Sequence, residues 1–257
     1  ADGMNAVDWA LANYPVDVKT IGIMGYAGDY GGDYAKGVTA AAEANGLTVA
    51  WEYIVPSPEF DVAQAVGLMV TKPVDAYFPA IGPTHMAQVA GGAFQQGLTP
   101  LSMMAAPSFN DAFVREGFAL APLFTSGSMY LMAFVAPYEA ETAGHATMRA
   151  TFTAMGIDSA NTFLVAGWAS QHHLKGVLEA ANKGGDLTRA GIRRAAGSVY
   201  VDSDGMMPQR ELGQNRADAE SFIAVPDGTI ASGVKLLAGN YVGPSAGGYD
   251  WESGPCS

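Results

Sequence analysis

The chain has 257 residues, 49% of them hydrophobic and 15% charged, which excludes a disordered protein. Its 25 acidic and 13 basic side chains give a formal net charge of −12, and such a surface repels nucleic acid and anionic membranes. The single cysteine, Cys256, excludes an internal disulfide and a zinc site built on several thiolates. The length fits one large domain or two modest lobes.

The first half of the chain predicts short strands that alternate with helices. Strands are predicted at Val18–Met24, Leu47–Tyr53, Ala76–Ala80 and Leu101–Ala105. Helices are predicted at Tyr34–Asn45, from Asp61 to Val70 and at Thr84–Gln96, each followed by a glycine or a proline. The strands do not alternate between apolar and polar residues, so we expect burial on both faces, as in a parallel, doubly wound sheet.

The turns that follow these strands are the predicted ligand-binding positions. In doubly wound sheets, ligands bind at the carboxyl ends of the strands, where each strand turns into the next helix. The four turns are Gly25–Gly32, Val55–Phe60, Ile81–Thr84 and Ala105–Asn110.

The second half of the chain has a different pattern. We expect one more extended segment at Phe118–Tyr130, then helices at Glu139–Met155, Phe163–Asn182 and Thr188–Ala196, with strand-like pieces at Ser221–Val225 and Gly233–Leu237. The remaining sequence is rich in glycine, proline and aspartate, which is typical of turns and coil. The apolar faces of the three helices suit packing on a second sheet, for which too few strands remain.

The first glycine-rich turn leaves a Rossmann-type oxidoreductase open as an alternative. Gly25–Gly32 precedes a helix, and Glu52 ends the next strand, where a ribose-binding acid would lie. The spacing is G-x-x-G-x-x-G rather than G-x-G-x-x-G, and two aspartates in and beside the turn would repel a pyrophosphate. Such an enzyme would use Tyr130 or His85 as a proton donor.

Three other patterns favour ordinary structure over chemistry. Gly243–Gly247 matches G-x-S-x-G, but the sequence around it is coil-like and no histidine follows. His172 and His173 are adjacent on a predicted helix, so they point about 100° apart and make a poor metal pair. Asp202–Gly205 resembles half of a calcium loop, but the twelfth position is occupied by glycine rather than glutamate.

Several local strings follow one another in the order found in a known family. They are Lys19–Met24 followed by Asp29-Tyr30-Gly31, then Pro58–Asp61, Asp75–Pro83, and Phe163–Ala181 followed by Gly185–Arg189. The chain thus resembles the solute-binding proteins of ABC importers of the leucine/isoleucine/valine-binding type. The resemblance implies the type I periplasmic binding fold, with two α/β lobes, a hinge and a ligand in the cleft. It also implies export after signal-peptide cleavage, a membrane permease as partner, and neither catalysis nor a cofactor or metal.

The D-Y-G turn comes early in this chain. Family members carry an entire first lobe before it, whereas here it begins at residue 29. We therefore expect one doubly wound lobe plus helices of a second, incomplete lobe. The expected division is 1–15 for the end of the first lobe and the crossover, 16–125 for the second lobe, 126–200 for helices returning to the first lobe, and 201–257 for the hinge return and tail. The missing lobe would come from an absent segment or from another chain, and without it the chain should self-associate.

The resemblance and the turns together predict the binding residues. They are Tyr30 and Gly31 in the first turn, Ile81, Gly82, Pro83 and Thr84 in the turn after the third strand, Ala106, Ser108 and Phe109 after the fourth, and Trp168 on a later helix. Amino-acid binders of the family carry an acid in the turn after the fourth strand, and this turn has none. An aromatic or other carboxylate therefore fits as well as an amino acid. A ligand-sensing or structural protein that reuses the fold is a further alternative.

Overall fold

The protein is described here by a computed structural model covering residues 1–197, 199–208, 210–211 and 219–251. The chain divides into two compact units. The sheet unit comprises residues 1–133 and 219–249, and the helical unit comprises the described residues from 134 to 211 with 250–251.

The elements follow the predicted alternation of strands and helices in the first half of the chain. The described helices are α1 (Asp2–Asn13), α2 (Asp29–Ala44), α3 (Val62–Thr71), α4 (Pro83–Gln95), α5 (Ala121–Phe124), α6 (Ala143–Ala154), α7 (Thr162–Lys183), α8 (Arg189–Ala196) and α9 (Pro244–Gly247). The described strands are β1 (Thr20–Tyr26), β2 (Thr48–Val55), β3 (Ala76–Ala80), β4 (Leu101–Ala105), β5 (Met129–Ala133), β6 (Tyr200–Val201), β7 (Arg210–Glu211), β8 (Ser221–Pro226) and β9 (Val234–Tyr241).

The sheet unit is built on a seven-stranded sheet with the order β2-β1-β3-β4-β5-β8-β9. The first five strands are parallel, and β8 and β9 are antiparallel to their neighbours. Every residue of β3 and β4 is buried, as expected when helices cover both faces of a parallel sheet. The predicted α/β, doubly wound fold class is therefore confirmed. The carboxyl ends of β1 to β5 all lie on the same side of the sheet, which we call its carboxyl edge.

The segment predicted to be extended between residues 118 and 130 is instead a short helix followed by a strand. Pro122 lies in the first turn of α5, where its missing N–H costs nothing, whereas in a central strand it would remove a ladder bond. Phe124 is fully buried, with its ring centroid 4.7 Å from that of Phe113. The aromatic contact thus anchors α5, and β5 begins only at Met129.

The first residues of the chain and residues 219–249 both belong to the sheet unit. Helix α1 packs on α2 so closely that a Cβ on Gly3 would lie 2.3 Å from the Tyr34 carbonyl oxygen. The buried Asn5 side chain donates to Ser221 Oγ over 2.9 Å, joining α1 to β8. The predicted strand pieces near residues 221 and 233 are β8 and β9, and they extend this sheet.

The helical unit has its own small core and only a short ladder in its described part. Helices α6 and α7 enclose Val135, Met148, Phe152 and Val165, and β6 and β7 form a two-residue antiparallel pair. His145 is fully buried within α6, where its ring bonds Thr142 Oγ1 at 2.7 Å and the Ala136 carbonyl at 3.1 Å. Burial lowers the pKa of this imidazole, which favours its neutral form in the core.

Candidate functional site

The turns at the carboxyl edge of the sheet contact one another through a few side chains. Tyr26 ends β1, Phe60 follows β2, and His85 lies in the first turn of α4, after β3. The ring centroid of Tyr26 is 5.7 Å from that of Phe60 and 5.8 Å from that of His85. Ser108, after β4, bonds the backbone on either side of Ala80. All four predicted turns are thus brought together at one edge.

An aromatic cluster of Tyr26, Tyr53, Phe60 and His85 occupies this edge. The His85 ring stacks on Phe60 with centroids 4.9 Å apart and an interplanar angle of 22°. Tyr26 Oη lies 2.6 Å from His85 Nδ1, which is a short hydrogen bond. Tyr53 Oη accepts the Asp61 backbone N–H over 3.0 Å and so holds the start of α3. Tyr26 and Phe60 lie in two of the predicted ligand-binding turns, but none of the four side chains was in the set of predicted binding residues.

The turn after β3 offers backbone N–H groups rather than charged side chains. Ile81 is buried, while Gly82 and Pro83 are half-buried and Thr84 is exposed. Gly82 is the N-cap of α4 and Pro83 follows it, so the N–H groups of the next residues have no helical acceptor. A Cβ on Gly82 would lie 3.1 Å from the Tyr26 hydroxyl, so the small residue lets the aromatic cluster approach the turn.

The named side chains of the turn after β4 are buried in the core. Ser108 is fully buried; its Oγ accepts the Ile81 N–H and donates to the Pro79 carbonyl, both at 3.2 Å. Phe109 is 3% exposed and meets Phe113 edge to face at 5.9 Å, and Ala106 is also buried. The side chains of Ser108 and Phe109 therefore pack this turn against the core. Contact of these residues with a ligand stays a prediction.

Tyr30 and Gly31 lie in the first turn of α2 rather than in the predicted glycine-rich turn, because the helix already begins at Asp29. The surroundings of the two residues differ. Gly31 is buried, and a Cβ there would lie 2.1 Å from the Tyr26 carbonyl oxygen, so only glycine fits. Tyr30 is 43% exposed and lines a pocket of about 350 Å³ with Asp2, Gly3 and Tyr34, away from the residues of the aromatic cluster. Burial of part of the ring and the nearby Asp2 carboxylate raise the pKa of the Tyr30 hydroxyl, which stays protonated.

Trp168 belongs to the helical unit. It is half-buried on α7 and meets Phe152 edge to face, with ring centroids 5.6 Å apart. That contact ties one face of the indole to the core of the unit. Its predicted role in binding is untested.

The comparisons with known proteins identify the family. The family described as periplasmic binding protein matches residues 1–229. The chain belongs to this family. No curated protein sequence matches it significantly.

Solved structures of periplasmic binding proteins share the fold. A fatty acid ABC transporter substrate-binding protein from Thermomonospora curvata has a TM-score of 0.85 and 22% identity, covering 96% of this chain and 64% of that one. A branched chain amino acid ABC transporter protein from Thermus thermophilus with bound valine has a TM-score of 0.69 and 11% identity, covering 95% and 66%. This periplasmic binding protein thus spans about two thirds of the length of both.

The G-x-S-x-G string and the Asp202–Gly205 string both have structural roles in the part of the chain that the structure describes. No three acidic, histidine or cysteine side chains converge there as a metal site would require. Ser245 of the G-x-S-x-G string donates its hydroxyl to the buried carboxylate of Asp8 over 2.7 Å, which anchors α9 on α1. Asp204 and Gly205 both have positive φ, as a turn requires. Among the described helices, none combines the length and apolarity needed to cross a bilayer.

Proposed function

We propose that this chain is the extracytoplasmic solute-binding component of an ABC importer and that it does not catalyse a reaction. Membership of the periplasmic binding protein family supports the binding role. One observation supports the location of the site. At the carboxyl edge of the parallel strands, the aromatic cluster meets the half-exposed turn Gly82–Thr84. A membrane permease would receive the solute.

The chemistry of the edge favours a small organic solute with an apolar body. Three aromatic rings and one imidazole form the cluster. Tyr53 and Phe60 are buried, at 6% and 7% exposure, so the half-buried Tyr26 and His85 present the surface that suits a hydrocarbon or planar group. The turn after β4 has no acid to pair with an ammonium group. An amino acid-like compound, an aromatic carboxylate and a fatty acid are the candidate classes, the last because one of the structures with this fold is named for it.

The proposed site needs a second protein surface to enclose the solute. Binding sites for small organic molecules bury most of the ligand surface, and one edge of a sheet contacts only one side of it. We propose that a further lobe, from the same protein or from another chain, closes over this edge. The predicted contacts of Tyr30, Gly31, Ala106 and Trp168 belong to this proposal.

Calorimetric titration tests the proposal with leucine, benzoate and octanoate, one from each solute class, and with NADH as the probe of the oxidoreductase alternative. We expect saturable binding of at least one of the three solutes and no heat with NADH. Tight NADH binding, with none of the three solutes bound, would favour the Rossmann-type enzyme and overturn the proposal.

A further inference from the structure

The four turns at the carboxyl edge and the residue after the third of them, His85 on α4, contain a single basic side chain. Residues 25–32, 55–60, 81–85 and 105–110 include no lysine or arginine, and His85 is their only histidine. Its ring is held on two sides, by the Tyr26 hydroxyl at Nδ1 and by the stacked Phe60 ring. Within the described part of the chain, no group bonds its other nitrogen, Nε2. His85 is half-buried, so that nitrogen is available to a solute.

The bond to Tyr26 decides which nitrogen carries the proton. In a neutral imidazole one ring nitrogen donates and the other accepts. A phenol is a stronger acid than a neutral imidazole N–H, and therefore the better donor of the two. The only hydrogen bond described for Tyr26 Oη is the one to Nδ1, so donation to Nδ1 also satisfies the hydroxyl proton. The imidazole proton is then on Nε2.

We propose that His85 Nε2–H donates a hydrogen bond to a carboxylate oxygen of the solute, and that Tyr26 is the positioning residue that fixes this tautomer. The inference rests on the proposed function and assigns the residue that recognises the carboxylate group shared by its three candidate solute classes. The half-buried Tyr26 ring contacts the apolar body, the imidazole supplies the directional contact, and Phe60, 7% exposed, supports the imidazole by stacking. A hydrogen bond to an ionised acceptor is stronger than one between neutral groups.

Nitrogen NMR tests the tautomer without any solute. The protein is labelled with ¹⁵N-histidine at pH 8, and the His85 signals are assigned by their loss in His85→Phe among the four histidines. We expect a proton on Nε2 in the wild type and a mixture of tautomers in Tyr26→Phe. An unprotonated Nε2 in the wild type overturns the proposal.

Calorimetry with leucine, benzoate and octanoate tests the contact itself. His85→Phe keeps the stacked ring but removes the donor, and we expect it to weaken the tightest of these carboxylates by about tenfold or more. His85→Gln restores an N–H donor and should stay within about threefold of the wild type. Tyr26→Phe should weaken binding by about threefold alone and not at all in the His85→Phe background, since its effect passes through His85.

Two controls separate the possible failures. His172→Phe changes a histidine of the helical unit and should leave affinity and melting temperature unchanged, and the melting temperatures of the edge variants show whether they fold. Carboxylate binding that His85→Phe leaves intact overturns the role of His85 but not the proposed function. A wild type that binds none of the three carboxylates contradicts the proposed function, and with it the donor role that depends on it.

Discussion

Two tyrosines one turn apart on α2 have different surroundings. Tyr34 is 4% exposed and donates its hydroxyl to the Met103 carbonyl over 2.8 Å, whereas Tyr30 is 43% exposed. We expect Tyr30→Ala to weaken solute binding by about 1–3 kcal/mol through the loss of an aromatic contact and a hydroxyl bond. Its melting temperature should change less than that of a variant at the buried Tyr34, because 43% of Tyr30 is exposed.

Tyr34→Ala is the matched control for this substitution. Removing the buried ring and its hydrogen bond leaves a cavity and an unpaired carbonyl, so this variant should melt well below the wild type. Calorimetric affinity and thermal melting, measured on both variants, separate binding from folding. If Tyr30→Ala melts as low as Tyr34→Ala and binds solute like the wild type, then Tyr30 is a core residue.

Individual contacts at the edge were only partly predictable from the sequence. A glycine after a strand indicates a tight turn, but Gly31 lies in the first turn of α2, where the close Tyr26 carbonyl leaves no room for a Cβ. The pairing of Tyr26 with His85 depends on β1 lying next to β3, which no local pattern specifies. Phe109 follows a strand as a ligand contact would, but the neighbouring Phe113 draws it into the core. The location of these residues near the carboxyl ends of the strands was therefore predictable, and the direction of their side chains was not.

At the scale of elements, Asp75 fixes the start of β3 against the start of β1. Its Oδ2 accepts the backbone N–H groups of Lys19 and Thr20 and the Thr20 hydroxyl, all within 2.9 Å. Burial alone would raise the pKa of this carboxyl, but these bonds and the charge of Lys19 outweigh it and lower the pKa. The ionised form is thus bound more tightly in the folded state than in the unfolded one.

Asp75→Asn should lower the free energy of unfolding at pH 7 by about 1–2 kcal/mol. Because the folded pKa is lowered, the contribution of Asp75 is complete above its unfolded pKa, about 3.9, and is lost as pH falls through the folded value. Urea unfolding at neutral and acid pH should therefore show the two curves converging in acid. Asp17→Asn is the control, since its pair with Lys19 is 75% exposed and should contribute little. A constant gap at every pH would contradict the assignment.

Elements were predictable where local pattern and packing agree. The strands and helices up to residue 105 have clear breakers and uniform apolar runs, and the structure has them within a few residues. The short helix α5 depends on a contact elsewhere in the chain, with the ring of Phe113. Contacts between residues far apart in sequence leave no periodic pattern, so propensity alone misplaces such elements.

At the scale of the whole molecule, α7 carries an apolar face that the described chain leaves in solvent. Phe163, Leu174 and Leu178 are 49%, 53% and 39% exposed, and their spacing of 11 and 4 residues puts them on one side of the helix. The helical unit has only the short β6–β7 ladder in its described part, so no sheet of its own covers this face. Apolar patches of more than a few hundred Å² are rare on soluble monomers and favour association.

We therefore expect the 26.6 kDa chain to form larger species by light scattering, with a mass that rises with concentration. Leu174→Gln combined with Leu178→Gln should shift it towards the monomer, since the face loses its apolar character while the buried Val177 beside it is untouched. Val70→Gln is the control, because Val70 is a similarly exposed apolar residue of the sheet unit, on α3. A wild type that stays a monomer and binds solute tightly at a 1:1 ratio would contradict both the association and the need for a further lobe.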